Sequence, residues 1–397
     1  MNLLLAALTL QAGYNTALVT IGAAILGASA GAVGGFVLLR KRSLVSDAIS
    51  HATLPGLVLA FILMALVWGD GRWIPGLLLG ATLSAGLGLL AVEWIARRTR
   101  LSEDAAIGAV LSSFFGLGVV LLTIVQSLNT GGQAGLSGFL VGSTASMLRS
   151  EAETIAISAA LIGVAVFVLR RPFTLVAFDP GYAAARGLSL RATDLALMAL
   201  TLLVTVVGLR VAGLVLIVAL TIIPPVAARF WTDRPGRVVA IAALIGALSA
   251  YIGTVLSALD ANMPTGALIV LVSFAIFMLS LVFSPLRGVL AGRGEARGLA
   301  RAILLRQGLL DIAHGRRPDA DGIAALRRRG FVDAQGEPTA EGRRAAEATE
   351  RDERLRAVHR RAFPAEARAF DLDLRPVDEL IGPERVGELE RMAARQG

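Results

Sequence analysis

The chain has 397 residues, 55% of them hydrophobic, and a mean hydropathy of +0.69, well above that of an ordinary soluble domain. It contains no cysteine, which excludes disulfides, thiolate metal sites and covalent thiol chemistry. A net charge of +8 and a pI near 11.0 would suit nucleic-acid binding, but residues 288–397 hold 21 Arg against 19 acids, so +6 of the +8 lies in the apolar portion, where arginines flank membrane spans. No nucleic-acid partner is expected. The N-terminus lacks a basic leader, and its apolar stretch continues to Leu39 without a cleavage signature, so no cleaved signal peptide is expected.

About nine apolar stretches reach the roughly 20 residues needed to cross a bilayer. They cover 14–39, 52–68, 74–95, 106–126, 151–170, 193–209, 211–230, 237–258 and 264–286, the second beginning nearer Ser43. The boundary at Arg210 is soft, since 193–230 can divide elsewhere. Residues 132–149 are only weakly apolar and rich in Gly and Ser, and read as a re-entrant or interfacial helix. Basic clusters at Arg40–Lys41–Arg42, Arg97–Arg98–Arg100, Arg170–Arg171, Arg229 with Arg234 and Arg237, and Arg287 with Arg293 fall at alternate ends of the spans. Arg72 and Arg149 are the exceptions. The positive-inside bias then places the N-terminus outside and the C-terminal region in the cytoplasm, in keeping with an odd number of crossings.

Small residues recur every four positions at Gly27, Gly31 and Gly35, and again at Gly76, Gly80, Ser84 and Gly88. Such stripes let helix backbones approach closely, so they predict a compact bundle. Pro224–Pro225 inside an apolar span predicts a kink or a break.

The chemistry-bearing residues stand at the start of the second span, in SLVSDAISHATLPG. Ser43, Asp47, His51 and Pro55 follow an i, i+4 spacing and share one helical face. No other histidine occurs in the apolar region, and ionisable residues in a membrane are costly enough to mark a functional site. A carboxylate oxygen and an imidazole nitrogen suit a divalent first-row metal ion. Pro55 has no N–H for the carbonyl of His51, and a loose carbonyl is tolerated where a helix lines a polar cavity. The same pair could instead lock two helices together by hydrogen bonding.

Between the fifth and sixth spans, Arg171–Arg191 reads as a loop with a short helix. Asp179 and Pro180 mark its start, and Ala183, Ala184, Ala185 and Gly187 read as a small-residue face. Beyond residue 287 the composition changes to Arg, Glu, Asp and Ala, dividing the chain into a transmembrane domain, 1–287, and a cytoplasmic domain, 288–397. The latter reads as helices with a short Gly/Pro-marked wing. The fold class is thus an all-α polytopic membrane protein with a mainly helical, winged-helix-like C-terminal domain.

On these residues the chain resembles the permease subunit of bacterial metal-ion ABC importers of the manganese, zinc and iron class. The blocks that carry the resemblance are GGFVLLRKRSLVSDAISHATLPGLVLAF, VAFDPGYAAARGL, LRVAGLVLIVALTIIPPVAARFWTDR and NMPTGALIVLVSF, which extend it over nearly all of residues 10–290. The resemblance implies a multi-pass protein of the bacterial inner membrane that is not itself an enzyme. It implies a second permease protomer, the same or a homologous chain, two cytoplasmic ABC ATPase subunits, and a periplasmic or lipid-anchored metal-binding protein. Asp47 and His51 match the acid and histidine that hold or gate the ion, two ligands per protomer becoming four by symmetry. The loop with Asp179, Ala184 and Gly187 matches the element that docks on the ATPase. Mn²⁺, Zn²⁺ or Fe²⁺ is then the transported substrate, with no tightly bound cofactor. The tail resembles, more weakly, iron-dependent repressor domains, but Glu353 and Glu379 stand where metal-binding histidines are expected. His314 and His359 read as single solvated residues, and ATPase or tail-to-tail contact is the default role.

Two other classes fit less well. A gradient-driven secondary transporter usually buries several acids along its route, whereas the apolar region offers Asp47 and, near a span end, Glu93. An intramembrane zinc enzyme needs a fuller ligand set, such as paired histidines with a Glu base. No G-x-x-x-x-G-K-[ST] loop occurs, so the chain cannot supply its own nucleotide site.

Overall fold

The computed structural model describes residues 6, 8–11, 13–69, 71, 73–127, 149–260, 263–364 and 375–394. The segment read as re-entrant, 132–149, lies outside the described residues except for Arg149. Among the described residues there is no strand, and two compact units separate at Leu290.

The first unit is a bundle of apolar helices: α1 (Tyr14–Leu39), α2 (Ser43–Trp68), α3 (Ile74–Arg98), α4 (Glu103–Ser127), α5 (Arg149–Phe178), the short α6 (Pro180–Ala185), α7 (Leu190–Trp231), α8 (Pro235–Ser257) and α9 (Thr265–Phe283). Eight of these stretches are long and apolar enough to cross a membrane. α2 begins at Ser43, so Asp47 and His51 lie inside it.

α7 is two helices, Leu190–Leu209 and Leu216–Trp231. The break falls at Gly213, whose φ of 74° lies in the left-handed region that glycine enters without a Cβ clash. Gly208 and Ile217 touch across it, so closely that a Cβ on Gly208 would overlap the Ile217 side chain. Residues nine apart in a straight helix are about 13.5 Å apart along the axis, so the chain reverses here. Of the kink or break expected at Pro224–Pro225, a break does not occur: helix continues through both prolines, and the interruption lies near the soft boundary read at Arg210. Pro225 cannot donate to the Thr221 carbonyl, and Gly34 of α1 packs directly on that oxygen. The freed acceptor is thus covered by a close helix crossing, where a Cα–H···O contact can partly substitute for the missing bond. The second half of α7, at about 24 Å, is shorter than the eight spans, so the described residues give one fewer span of full length than the nine expected.

Both small-residue stripes lie at helix crossings. Gly27, Gly31 and Gly35 face α8 at Gly246, Ala242 and Val239, and a Cβ on Gly27 or on Gly246 would overlap the other's carbonyl. Gly56 of α2 and Gly80 of α3 meet in the same reciprocal way, one turn beyond His51. In a membrane such packing replaces the hydrophobic driving force that water would supply. Large apolar side chains are left exposed on α3, α4 and α5, among them Leu83, Trp94, Val120, Leu161 and Phe167. That is the surface expected where lipid or another subunit is the neighbour.

The second unit contains α10 (Val289–Ala313), whose first residues precede the boundary, α11 (Ala320–Arg328), α12 (Ala340–Ala362), α13 (Val377–Ile381) and α14 (Pro383–Ala394). One isolated antiparallel bridge, Val332 to Pro338, lies between α11 and α12. Leu309, Leu326, Val332 and Ala346 form one small core; Leu355, Val358, Val377, Val386 and Leu389 form another. Asp352 accepts from the Val377 N–H at 2.6 Å and from Arg306 and Arg356 at 2.7 and 3.0 Å. Burial alone would raise this carboxyl, but those three donors outweigh it and hold it below the usual carboxylate range. His314 is exposed, whereas His359 is not solvated as expected. It is 6% exposed and stacks on Phe363 at 5.7 Å, because its helical face turns toward the second core. Glu353 pairs with Arg306 at 2.7 Å and Arg360 at 3.2 Å, and Glu379 is exposed.

Candidate functional site

α2 reaches the site from a tight corner. Arg42 N–H donates to the Val37 carbonyl at 3.0 Å and Lys41 N–H to Leu38 at 2.9 Å, a Schellman pair that closes α1. Lys41 occupies the left-handed position of that motif at φ 59°, where glycine is usual. α2 starts two residues later, which brings Asp47 to its second turn and His51 to its third.

His51 Nε2 lies 3.3 Å from Asp47 Oδ1, with side chains 22% and 32% exposed. The separation is slightly long for a good hydrogen bond, whose usual upper end is about 3.2 Å. It is also compatible with two ligands of one ion. A cation about 2.1 Å from each atom would see them at about 104°, close to a tetrahedral angle. The other ring nitrogen, Nδ1, is buried with no hydrogen-bond partner, and the imidazole is held edge-on by Phe115 of α4 at 4.9 Å. Beside the pair, the Ser46 hydroxyl is also buried and unpartnered. Among the described residues no third His, Cys, Asp or Glu completes a ligand set. The pair by itself offers one oxygen and one nitrogen, so a metal ion held here would need further ligands from water, backbone or another chain.

α6 begins where expected. Asp179 caps it by accepting from the Tyr182 N–H at 2.8 Å, with Pro180 at the first helical position. Its small residues do not all share a face, which corrects the expectation for that helix. Ala183 is fully buried, while Ala184 and Ala185 are exposed. Gly187 ends the helix: it sits at φ 79°, and the Leu188 and Gly187 N–H groups donate to Ala183 and Ala184. Asp179, Ala184 and Gly187 thus cluster on one loop, far along the chain from Asp47 and His51.

Sequence reasoning missed Asp194, in the first turns of α7 and 7% exposed. Arg40 donates to it twice, at 2.9 and 2.7 Å, and Arg42 approaches at 3.8 Å. Arg42 also lies 3.4 Å from Glu93 and 2.8 Å from Glu103, the latter without hydrogen-bond geometry. Glu93 in turn accepts from Arg97 at 2.6 Å. Arg40 and Arg42, read from the sequence as topology signals, are inter-helix ties. An acid a few residues into an apolar span and a basic pair at the end of another are the only hint the sequence carries.

Among the described residues, a bundle of apolar helices long enough to cross a membrane, with an acid and an imidazole half-buried on one helical face, defines an all-α polytopic membrane protein. The chain belongs to the ABC 3 transport family, which it matches over residues 14–284. It is 38% identical over 298 residues to the manganese transport system membrane protein MntC of Bacillus subtilis, covering 75% of this chain and 67% of that one. Identity is also 38% to the zinc transport system membrane protein TroC of Treponema pallidum, covering 72% and 94%. Among solved structures, PsaBC from Streptococcus pneumoniae in complex with Fab matches with a TM-score of 0.60 at 28% identity, over 70% of this chain and 95% of that one. The chain is therefore a permease homologous to those of manganese and zinc ABC importers.

Proposed function

We propose that this permease forms the bacterial inner-membrane pathway for a divalent transition-metal ion, Mn²⁺, Zn²⁺ or Fe²⁺, in an ATP-driven importer. A second permease protomer, cytoplasmic ATPases that hydrolyse the ATP, and an extracytoplasmic metal-binding receptor complete the machine. The C-terminal unit is cytoplasmic on this reading, which the positive-inside bias of the arginine-rich span ends supports.

The observation that carries this reading is the Asp47–His51 pair. It offers one oxygen and one nitrogen on a single helical face at a separation fit for one ion, and among the described residues no third His, Cys, Asp or Glu joins it. A transit site must bind strongly enough to admit the ion and weakly enough to release it, which an incomplete set achieves. A dimer would bring two such pairs. The names of the relatives, manganese and zinc transport proteins, agree with the ligand chemistry, and oxygen and nitrogen donors suit either ion. The exposed end of α6, with Asp179 as cap, Ala184 outward and Gly187 as terminator, is the docking element for the ATPase.

The test is ⁵⁴Mn²⁺ and ⁶⁵Zn²⁺ uptake into vesicles holding permease, ATPase and receptor, comparing wild type with His51→Ala. ATP-dependent uptake in the wild type and its loss in an intact variant are expected, with the preferred isotope naming the substrate. Equal uptake in both would reduce the pair to helix packing. Uptake that survives without ATP but collapses with an ionophore would favour the gradient-driven reading.

A further inference from the structure

Arg40 commits every nitrogen of its guanidinium to the two ends of one loop. Nε and Nη2 donate to Asp194 Oδ1 and Oδ2 at 2.9 and 2.7 Å, and Nη1 donates to the Val176 carbonyl at 2.9 Å. Val176 is near the end of α5, Asp194 is near the start of α7, and α6 lies between them. The Val176 carbonyl is free for a reason written in the sequence. Its helical donor would be the N–H of residue 180, and residue 180 is proline. Pro180 therefore starts α6 and also hands Arg40 an acceptor.

The other side of the tie is as well defined. Arg40 caps α1, its neighbour Lys41 is held left-handed, and α2 follows at Ser43. Phe36 and Phe173 pack at 5.2 Å beside the same junction, so α1 and α5 meet there in an apolar contact as well. Arg42 adds a second tie, to Asp194 and Glu103. A loop movement at either end of α6 thus meets, through one rigid fork, the corner from which Asp47 and His51 project. A bidentate guanidinium–carboxylate pair fixes direction as well as distance, which a packing contact does not.

We propose that Arg40 is a positioning residue for transport: with Asp194 it joins both ends of the α6 loop to the α1–α2 corner, so that displacement of α6 by the ATPase is passed to the Asp47–His51 station. This rests on the reading that α6 docks on the ATPase. A purely structural pair would affect folding and assembly only; a transmission pair sets how many ions move per ATP.

The experiment uses the full permease reconstituted with its ATPase and receptor in lipid vesicles, and reads ATP hydrolysed against ⁵⁴Mn²⁺ and ⁶⁵Zn²⁺ taken up. Arg40→Gln and Asp194→Asn complexes are expected to assemble and hydrolyse ATP near the wild-type rate while moving at least about tenfold fewer ions per ATP. Cross-linking of an Ala184→Cys permease to single-cysteine ATPase variants separates the two readings. No cross-link in otherwise wild-type complex overturns the docking of α6, and the linkage with it. A cross-link together with unchanged ion-to-ATP stoichiometry in the Arg40 and Asp194 variants overturns the linkage alone. Should Arg40→Gln fail to assemble, Arg40→Lys decides, because one ammonium can pair with Asp194 but cannot also fork to the Val176 carbonyl. An assembled Arg40→Lys complex with wild-type stoichiometry, or failure of both variants to assemble, assigns the pair to folding and ends the proposal.

Discussion

Two polar stations lie near each other on α2 and its entry corner, and they are built on opposite principles. At the corner, Asp194 is 7% exposed and both its oxygens accept from one guanidinium. Within α2, Asp47 and His51 are about a quarter exposed, sit 3.3 Å apart, and leave the buried Nδ1 without a partner. The first arrangement minimises unsatisfied charge and so holds helices together. The second keeps bonding capacity in reserve, which costs stability and is useful only if something arrives to use it. Polar groups in a membrane can thus be sorted into ties and stations by how fully they are satisfied.

The comparison breaks most sharply by removing a carboxylate from each station. Asp47→Ala should abolish metal uptake while leaving the thermal unfolding midpoint within a degree or two. Asp194→Ala should instead cost about 3–5 kcal/mol, since it strands a half-buried guanidinium. Thermal unfolding in detergent beside uptake in vesicles reads both, and a large stability loss from Asp47→Ala would mean that its pair is a tie too. Next in size is the crossing of α1 and α8. Gly27→Leu drives a side chain into the Gly246 carbonyl and should cost about 3 kcal/mol or prevent assembly, whereas the same change at Gly86, with open space around it, should be near neutral. Smaller still is Lys41→Gly, which relieves a left-handed non-glycine residue and should raise stability by about 1 kcal/mol without altering uptake.

The smallest effect sharpens the comparison with a saturated carboxylate outside the membrane. Asp352 is held below the usual carboxylate range, so it contributes stability above about pH 4 that is lost as pH falls through its lowered folded value. Its partners are partly solvated, so the contribution should stay under about 1 kcal/mol. Asp352→Asn should flatten that part of the acid unfolding curve of the full chain. An unchanged curve would show that the tie carries no net charge dependence.

Much of this was legible in the chain because some physical demands are local. Pro180 after Asp179 starts a helix wherever it stands, and Gly187 can end one for the same reason. Asp47, His51 and the two small-residue stripes were readable because helical spacing alone places residues four apart on one face. Other features were not local. Pro224–Pro225 could have broken the helix, but it runs through both, the freed Thr221 carbonyl being sheltered by a crossing at Gly34, while the reversal at Gly213 lies three residues from the boundary read at Arg210. Ala183 reads as sharing one small-residue face with Ala184 and Ala185 and is buried while they are exposed, because the orientation of a six-residue helix is decided by what it lies against. His359 is buried for the same reason.

The sequence by itself determined the class of molecule, its number of apolar crossings to within one, and the acid–histidine pair, since hydrophobic length and helical periodicity are properties of short stretches. Only the tertiary structure decided which charges are ties. Arg40 and Asp194 are 154 positions apart, and the Val176 carbonyl completes their junction from a third helix. No periodicity links such residues; the crossing of α1, α5 and α7 brings them together, and the cost of leaving a buried charge unpaired favours the meeting.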